Sequence, residues 1–418
     1  MSERAITRRF ELHEALGAVR GTQEAALLLE GDRGSGKSVL LRAIADAGTL
    51  PAIRVAASGV ETATPFSGVS VLMAARGVPA LDLPAPPHRE DPQHAQAFAL
   101  VLLDRLRGGK QRPRLILIDD IDFFDESSQQ VIGYLAPRLT GTGIRLVCTT
   151  GPQPDSSPFS GVQRLSLGRF PEAALIELAA EESPATADPS VLKVIADGAD
   201  GNPAAAVDIV RGLRPAQLQG TEPLCLPFRP GSTESAILLG TVASLSPAAH
   251  EVLAWLSSAP FVSLASLAFA DAPTREAIPE LINAGIISHV ANGVSIRRPR
   301  LRSAVFWSLD PEQKSHIGRV LELATLPPLS AWHASFANFA PETAPGLRAG
   351  ALTLIQEGNT VAAIELAERA NALDSPAPGN ALALTEIAEA FFRQGEIEHA
   401  LHYSAHAMDA DQNGGLDG

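Results

Sequence analysis

The 418-residue sequence predicts an α/β domain built on a parallel sheet, followed by smaller and mostly helical modules. Three observations predict it. An apolar run passes through a glycine-rich loop into a helical pattern between Ala25 and Asp46. A second apolar run, Leu115–Ile118, ends in two adjacent aspartates, and near the C-terminus two helical stretches repeat at a fixed offset. A chain of this length exceeds one hydrophobic core and divides into about three domains.

The first element is Ala25–Glu30, "AALLLE", a short apolar run suited to a strand buried on both faces. Gly31–Ser38, "GDRGSGKS", follows and fits G-x-x-x-x-G-K-[ST] at every fixed position. "VLLRAIAD" then places Val39, Leu40, Ala43 and Ile44 on one helical face. Strand, loop and helix occur in the order that a phosphate-binding loop requires. Gly31, Gly34 and Gly36 let the backbone turn its N–H groups inward without a Cβ clash. The helix that follows offers N–H groups and the positive end of its dipole to an anion. Lys37 is expected to reach the β and γ phosphates of ATP or ADP, and Ser38 to give its hydroxyl to Mg²⁺. Asp32, Arg33, Ser35 and Val39 complete the expected contact segment.

Pro84–Pro92 holds four prolines in nine residues and reads as a loop within the first domain. The strand Leu115–Ile118 places Asp119 and Asp120 at its C-terminal end, where ligands bind in open α/β sheets. A phosphate-binding loop needs a metal-holding carboxylate on a neighbouring strand. Asp119 is the expected Mg²⁺ ligand, acting through water, and Asp120 the residue that orients or activates the attacking water. Asp122, Asp125 and Glu126 read as capping or solvated residues, since Asp125 or a following serine can cap the helix of "ESSQQVIGYL". Gly143–Gly151, "GIRLVCTTG", is the next strand. Thr149 and Thr150 at its end either sense the γ phosphate or follow strand propensity, and Thr150 is taken as the contact.

Composition narrows the alternatives. The net charge of −14 repels nucleic acid and argues against nonspecific DNA binding by this polypeptide. The two cysteines, Cys148 and Cys225, fit a reducing cytoplasm and read as buried small apolar residues. No apolar run approaches the roughly 20 residues that span a bilayer, and the first residues lack the apolar centre of a secretion signal. A cytoplasmic protein without membrane contact is expected. His250, His289 and His316 show no metal-ligand spacing.

The motifs together resemble the signal-transduction ATPases with numerous domains (STAND), in particular the large ATP-binding regulators of the LuxR type. "ITRRFELHEALGAVRG", Ile6–Gly21, is similar to the family's opening segment through Arg8, Glu11 and Leu12, with Thr7 in place of the usual glycine. Pro65–Ala74 resembles the segment after the second strand. "LILIDDIDFFDESS" looks like the family's Walker B region, with Asp122 and Phe123 where histidine and tryptophan are usual. "GADGNPAAAVDIVRGL", Gly198–Leu213, is similar to the GNP element, whose proline packs on adenine in relatives; Pro203 is the match here. Gly151 stands where relatives carry an arginine, and Arg298, in "RRP", stands where they carry a histidine that touches phosphate. An arginine grips phosphate at least as well. The resemblance implies nucleotide contacts at Arg8, Pro203 and Arg298, and nucleotide binding with slow hydrolysis.

The resemblance also implies the domain order: a nucleotide-binding domain at 1–166, a helical lid at 167–220, a winged-helix domain at 233–325 and TPR-like helical repeats at 326–418. Phe170–Glu182 and Pro189–Leu213 read as lid helices, and Arg214–Thr233 as a proline- and glycine-bearing linker. From Glu234 the pattern is three helices and then two β segments about "ANG", Ala291–Gly293, which make a winged helix. In the C-terminal part Gln356–Ala370 pairs with Arg393–Ala407, aligning Gly358 with Gly395 and Ala363 with Ala400. Tetratricopeptide units run about 34 residues; the insertion Ser375–Gly379 accounts for the longer spacing. Asp409–Gly418 is expected to be an unpacked tail, and the whole the start of a longer array. Relatives carry a helix-turn-helix at the far C-terminus, and DNA contact is expected only through such a domain.

The function expected is an ATP/ADP switch. ADP holds it closed, an unknown ligand or protein at the repeats opens it, ATP enters, the chain self-associates, and slow hydrolysis resets it. The alternative is a nucleotide-binding scaffold without turnover.

Overall fold

A computed structural model of the chain describes residues 8–21, 25–48, 50–57, 64–77, 92–107, 115–154, 157–184, 186–291, 293–338, 341–374 and 378–414. Thr7 and most of the proline-rich stretch 84–92 lie outside them. The chain divides into two compact units, with the boundary between Arg169 and Phe170.

The first unit runs α1 (Arg9–Arg20), β1 (Ala26–Glu30), α2 (Lys37–Asp46), β2 (Ala52–Ala56), α3 (Ser67–Ala75), α4 (Pro92–Arg107), β3 (Leu115–Asp119), α5 (Glu126–Leu135), β4 (Arg145–Thr150) and β5 (Gln163–Ser166). The strands form one parallel sheet in the order β2-β3-β4-β1-β5. Its apolar runs are continuous because both faces are covered. Leu28, Ile116, Ile118, Leu146 and Cys148 enter one core. Leu27, Leu29, Leu115, Leu117 and Val147 enter the core on the other face. On α2 the buried apolar side chains are Leu40, Leu41 and Ile44, while Val39 is 42% exposed. The helical face predicted through Val39 is therefore corrected: the sheet takes the stripe one position further round, and Val39 is left at the loop end of the helix.

The second unit is almost wholly helical. It runs α6 (Glu172–Glu182), α7 (Pro189–Ala199), α8 (Pro203–Gly212), α9 (Pro215–Leu218), α10 (Ser232–Gly240), α11 (Pro247–Ser257), α12 (Leu264–Phe269), α13 (Thr274–Asn283), β6 (Ile287–Val290), β7 (Gly293–Ile296), α14 (Pro299–Ser308), α15 (Pro311–Ala324), α16 (Ser330–Asn338), α17 (Ala344–Gln356), α18 (Thr360–Leu373), α19 (Ala381–Arg393) and α20 (Ile397–Gly414). Four of these helices begin with a side-chain cap followed by proline: Asp188, Asn202, Ser246 and Asp310. The cap satisfies a first-turn N–H, and proline has no N–H to satisfy.

Pro189–Leu213 forms two helices, α7 and α8. Asp200 takes φ +52 and Gly201 φ +75, which ends α7 before Asn202 caps α8. β6 and β7 pair antiparallel, and Val262 bridges to Val294. A Cβ on Gly293 would run into the Val262 carbonyl oxygen, so the close approach needs glycine there. Cys225 is exposed, which corrects the expectation for that thiol, whereas Cys148 is buried in the sheet and burial pushes its thiol up.

The two C-terminal pairs, α17–α18 and α19–α20, start at positions 37 residues apart, and Gly358 and Gly395 take φ +78 and +82 between the paired helices. The expected unpacked tail is corrected as far as Gly414. α20 continues through Asp409, and Ala410 is fully buried, so a small side chain holds the last turns against the core.

Candidate functional site

The C-terminal ends of β1, β3 and β4 gather the residues that the sequence singled out. β1 delivers the chain into the loop Gly31–Gly36, and α2 begins at Lys37. Gly36 sits at φ +94 as the N-cap of α2, and no side chain caps that helix. Its first turn thus presents backbone N–H groups toward the loop. Gly31 is tightly placed as well: a Cβ there would stand 2.8 Å from Ser35 Oγ and 3.0 Å from the Leu167 carbonyl oxygen.

Lys37 is buried, and its Nζ donates to the carbonyl oxygens of Gly31 at 2.8 Å and Asp32 at 3.1 Å. The amine is therefore folded over the loop. Ser38 Oγ donates to Asp119 Oδ1 at 3.0 Å. Thr149 Oγ1 donates to the same Asp119 oxygen at 2.7 Å and accepts from the Asp120 backbone N–H at 2.7 Å. Loop helix, β3 and β4 are joined by this chain of hydrogen bonds. Asp120 itself sits at φ +53, in the left-handed region that aspartate tolerates better than most residues.

Burial lowers the Lys37 amine against the pull of Asp120, Asp122, Asp119 and Asp32. Burial, and then the neighbouring Asp119 carboxylate, raise the Asp120 carboxyl, with Lys37 pulling the other way. A carboxyl raised in this manner is better matched to accept a proton near neutrality than an ordinary aspartate.

The other predicted residues divide clearly. Arg8 is buried and braces the loop from behind: its guanidinium donates to the carbonyl oxygens of Ser35 at 2.9 Å and Gly168 at 2.7 Å, and pairs with Glu11 at 2.6 Å. Arg33 lies over the Phe123 ring at 5.8 Å. Thr150 lies buried beside the loop; its carbonyl oxygen accepts from Gly31 N–H and its hydroxyl from the Gln153 amide. The hydroxyl that meets the Asp119 carboxylate is that of Thr149. Asp125 caps α5 through Ser128 N–H, as its position suggested, and also accepts from the N–H groups of Phe66 and Gly68. Asp122 does more than solvate a turn, because its Oδ2 accepts from Gly151 N–H at 3.2 Å. Pro203 and Arg298 belong to the second unit, where Pro203 opens α8 and Arg298 precedes Pro299 at the start of α14.

The donor set at Ser38 and Asp119 is all oxygen, which suits a hard divalent cation such as Mg²⁺. Among the described residues no group of three histidine, cysteine or acidic side chains is placed to hold a metal ion. A hydroxyl and one carboxylate fit an ion that is completed by phosphate oxygens and water.

Residues 7–147 match the model of the AAA ATPase domain. No curated protein matches the sequence. Among solved structures, the Walker-type ATPase of Pyrococcus abyssi is 14% identical, over 71% of this chain and 95% of its own, with a TM-score of 0.40. The signal transduction ATPase with numerous domains and a tetratricopeptide repeat sensor from Pyrococcus horikoshii is 14% identical, with a TM-score of 0.34; the match covers 96% of this chain and 64% of that one. The RuvB Holliday junction branch migration motor of Thermotoga maritima is 14% identical over 69% of this chain and 91% of its own, with a TM-score of 0.35. The first unit is thus built as an AAA-type P-loop ATPase domain.

Proposed function

We propose that the chain is an ATP/ADP-binding signal-transduction switch with slow hydrolysis, serving as the nucleotide-binding part of a LuxR-type transcriptional regulator. The observation that carries the nucleotide site is the hydrogen-bonded chain Ser38–Asp119–Thr149 beside the Lys37 amine. Lys37 exchanges its two carbonyl partners for phosphate oxygens. Ser38 and Asp119 would hold Mg²⁺, which supplies charge neutralisation at the phosphates. Asp120 accepts a proton from the attacking water. Arg8 keeps the loop in place by gripping its backbone. Arg298 and Pro203 enter as phosphate and adenine contacts through the family resemblance. The signal acts at the helical repeats, and self-association depends on the nucleotide.

A second reading, a nucleotide-binding scaffold without turnover, is favoured by Gly151, which offers no side chain where relatives carry arginine. Calorimetric titration with ADP and ATP decides the first step. Wild type binds, Lys37→Ala does not, and Arg298→Ala binds ADP more weakly. Undiminished affinity in Lys37→Ala overturns the site. Phosphate release then separates the readings. Asn tolerates the left-handed backbone at residue 120, so Asp120→Asn removes the proton acceptor without adding strain. A switch releases phosphate faster than this variant, and its rate rises with pH as Asp120 loses its proton; equal background rates leave the scaffold.

A further inference from the structure

Helix α20 carries three histidines, His399, His402 and His406, at the spacing of a single helical face. Each meets the stretch that runs from the cap of α7 to the turn after α9. His399 Nδ1 lies 2.6 Å from Ser190 Oγ, His402 Nδ1 lies 3.3 Å from Asp188 Oδ2, and His406 Nε2 donates to the Gly220 carbonyl oxygen at 2.7 Å. His399 and His402 are buried. Gly220 closes the contact: a Cβ there would stand 3.0 Å from the His402 ring and 3.1 Å from Asp188 Cβ. Of the three contacts, that of His402 joins a carboxylate. Asp188 already caps α7, its Oδ1 accepting from the N–H groups of Ser190 at 2.8 Å and Val191 at 3.2 Å, and its Oδ2 is turned to the imidazole.

Burial alone would lower the His402 imidazole; the hydrogen bond to Asp188 and the charges of Glu368 and Asp188 outweigh it and raise the group above its ordinary value of 6.5. Glu368 acts from α18, where it accepts from Tyr403 OH. On α7, Lys193 pairs with Glu396 at 2.5 Å and lies 3.9 Å from Glu398, and beside the turn Arg214 and Glu222 pair with each other. Two further groups at this interface are shifted, and both change below pH 6.5. Burial, with Lys193, lowers His399 to about 4, and burial, with Glu172, raises Asp197 to about 6. A histidine raised by its partner contributes stability that is whole below its ordinary value and is lost as pH rises through the raised one. Above pH 6.5 the contact therefore follows the proton of His402. We propose that α20 is held on α7 by a proton-operated clasp, in which protonated His402 bonds Asp188 and loss of that proton loosens the C-terminal helical pair from α7 and the Gly220 turn. The clasp lies wholly within the helical unit and needs no nucleotide.

Amide hydrogen exchange of the full chain, corrected for the chemical exchange rate at each pH, tests it on peptides from α7 and α20, with α11 as the internal control. Between about pH 6.5 and 8.5 wild type loses protection in α7 and α20 by about tenfold, the worth of one hydrogen bond to a charged group. Asp188→Asn removes the charge and keeps the helix cap, since Asn caps as well as Asp. This variant and His402→Gln show the looser state already at the lower pH and lose nothing further, whereas His406→Gln keeps the pH dependence. Nuclear magnetic resonance titration of the imidazole protons places His402 above 6.5 in wild type and lower in Asp188→Asn. Wild-type protection that does not change with pH, a loss that spreads equally to α11, or a pH dependence or His402 titration that Asp188→Asn leaves in place each overturns the proposal.

Discussion

Thr149 and Thr150 are neighbours on β4 and serve different ends. Successive strand residues face opposite sides, so only one of them can meet the Asp119 carboxylate at the end of β3. The register Ile118↔Cys148 puts Thr149 beside Asp119, and that register is set by the whole sheet. It cannot be read from "CTT" alone, so the sequence pointed to the pair and could not show which hydroxyl meets Asp119. Lys37, Ser38 and Asp119 were legible because motif spacing fixes them locally. Asp125 shows how far a local reading reaches. Its place before α5 announced a cap, but not its further bonds to Phe66 and Gly68 N–H at 2.7 and 3.1 Å, made across 59 and 57 residues of chain. Burial alone would raise this carboxyl; the hydrogen bonds from Ser128, Gly68 and Phe66 outweigh it and hold the group below its ordinary value of 3.8. Hydrogen bonds to a charged group contribute roughly 1.5–3 kcal/mol each. Asp125→Asn is expected to lower stability by about 2–4 kcal/mol at pH 7, since the amide keeps one acceptor and loses the charge. The contribution is present above pH 3.8 and is lost as pH falls through the lowered value. Denaturant midpoints of the two proteins should thus differ at pH 7 and converge in strong acid; a gap independent of pH would show that the charge is not what matters.

Among the elements, α18 was expected to be an ordinary repeat helix and is instead a polar hub. Glu365 forms a buried bidentate pair with Arg302 of α14, at 2.5 and 2.9 Å, and Arg302 Nε also donates to the Ser257 carbonyl oxygen. Glu368 accepts from Leu224 N–H and from Tyr403 OH. Arg369 donates to Ser335. One helix therefore fixes α14, the segment before α10, α16 and α20. The repeat of Gly358 and Ala363 at Gly395 and Ala400 announced the helix; its charged residues carry no local sign of their partners, which lie 34 to 144 residues away. Removing one member of a buried pair leaves the other charge without compensation, at a cost of about 3–5 kcal/mol. Glu365→Gln should therefore unfold the helical unit markedly earlier, whereas Arg302→Met with Glu365→Leu should come close to wild type. Thermal unfolding of both variants checks this, and a double variant as weak as Glu365→Gln would place the effect in packing rather than charge.

Across the whole molecule the apolar interior follows the chain's division. The two clusters that sandwich the parallel sheet use residues from Ala15 to Leu167. A third cluster begins at Phe170 and ends at Ala410, and it includes no residue of the first unit. The resemblance anticipated several modules in that second stretch. Packing joins them into one core, because helices of four to eighteen residues bury too little surface singly. Two cores without shared residues predict two separable unfolding events. A bound nucleotide adds about 2.7 kcal/mol to the stability of what holds it when its concentration is 100 times its Kd, most of it at the phosphate-binding loop of the first unit. Differential scanning calorimetry of the full chain should show two transitions, of which the first moves up with ADP or MgATP by more than the second. A fragment of residues 170–418, which lacks the loop, should keep the second transition of the nucleotide-free chain at its own temperature and show no response to nucleotide. A single transition that shifts as a whole, or a fragment that cannot fold, would mean that the helical unit draws its stability from the nucleotide-binding one.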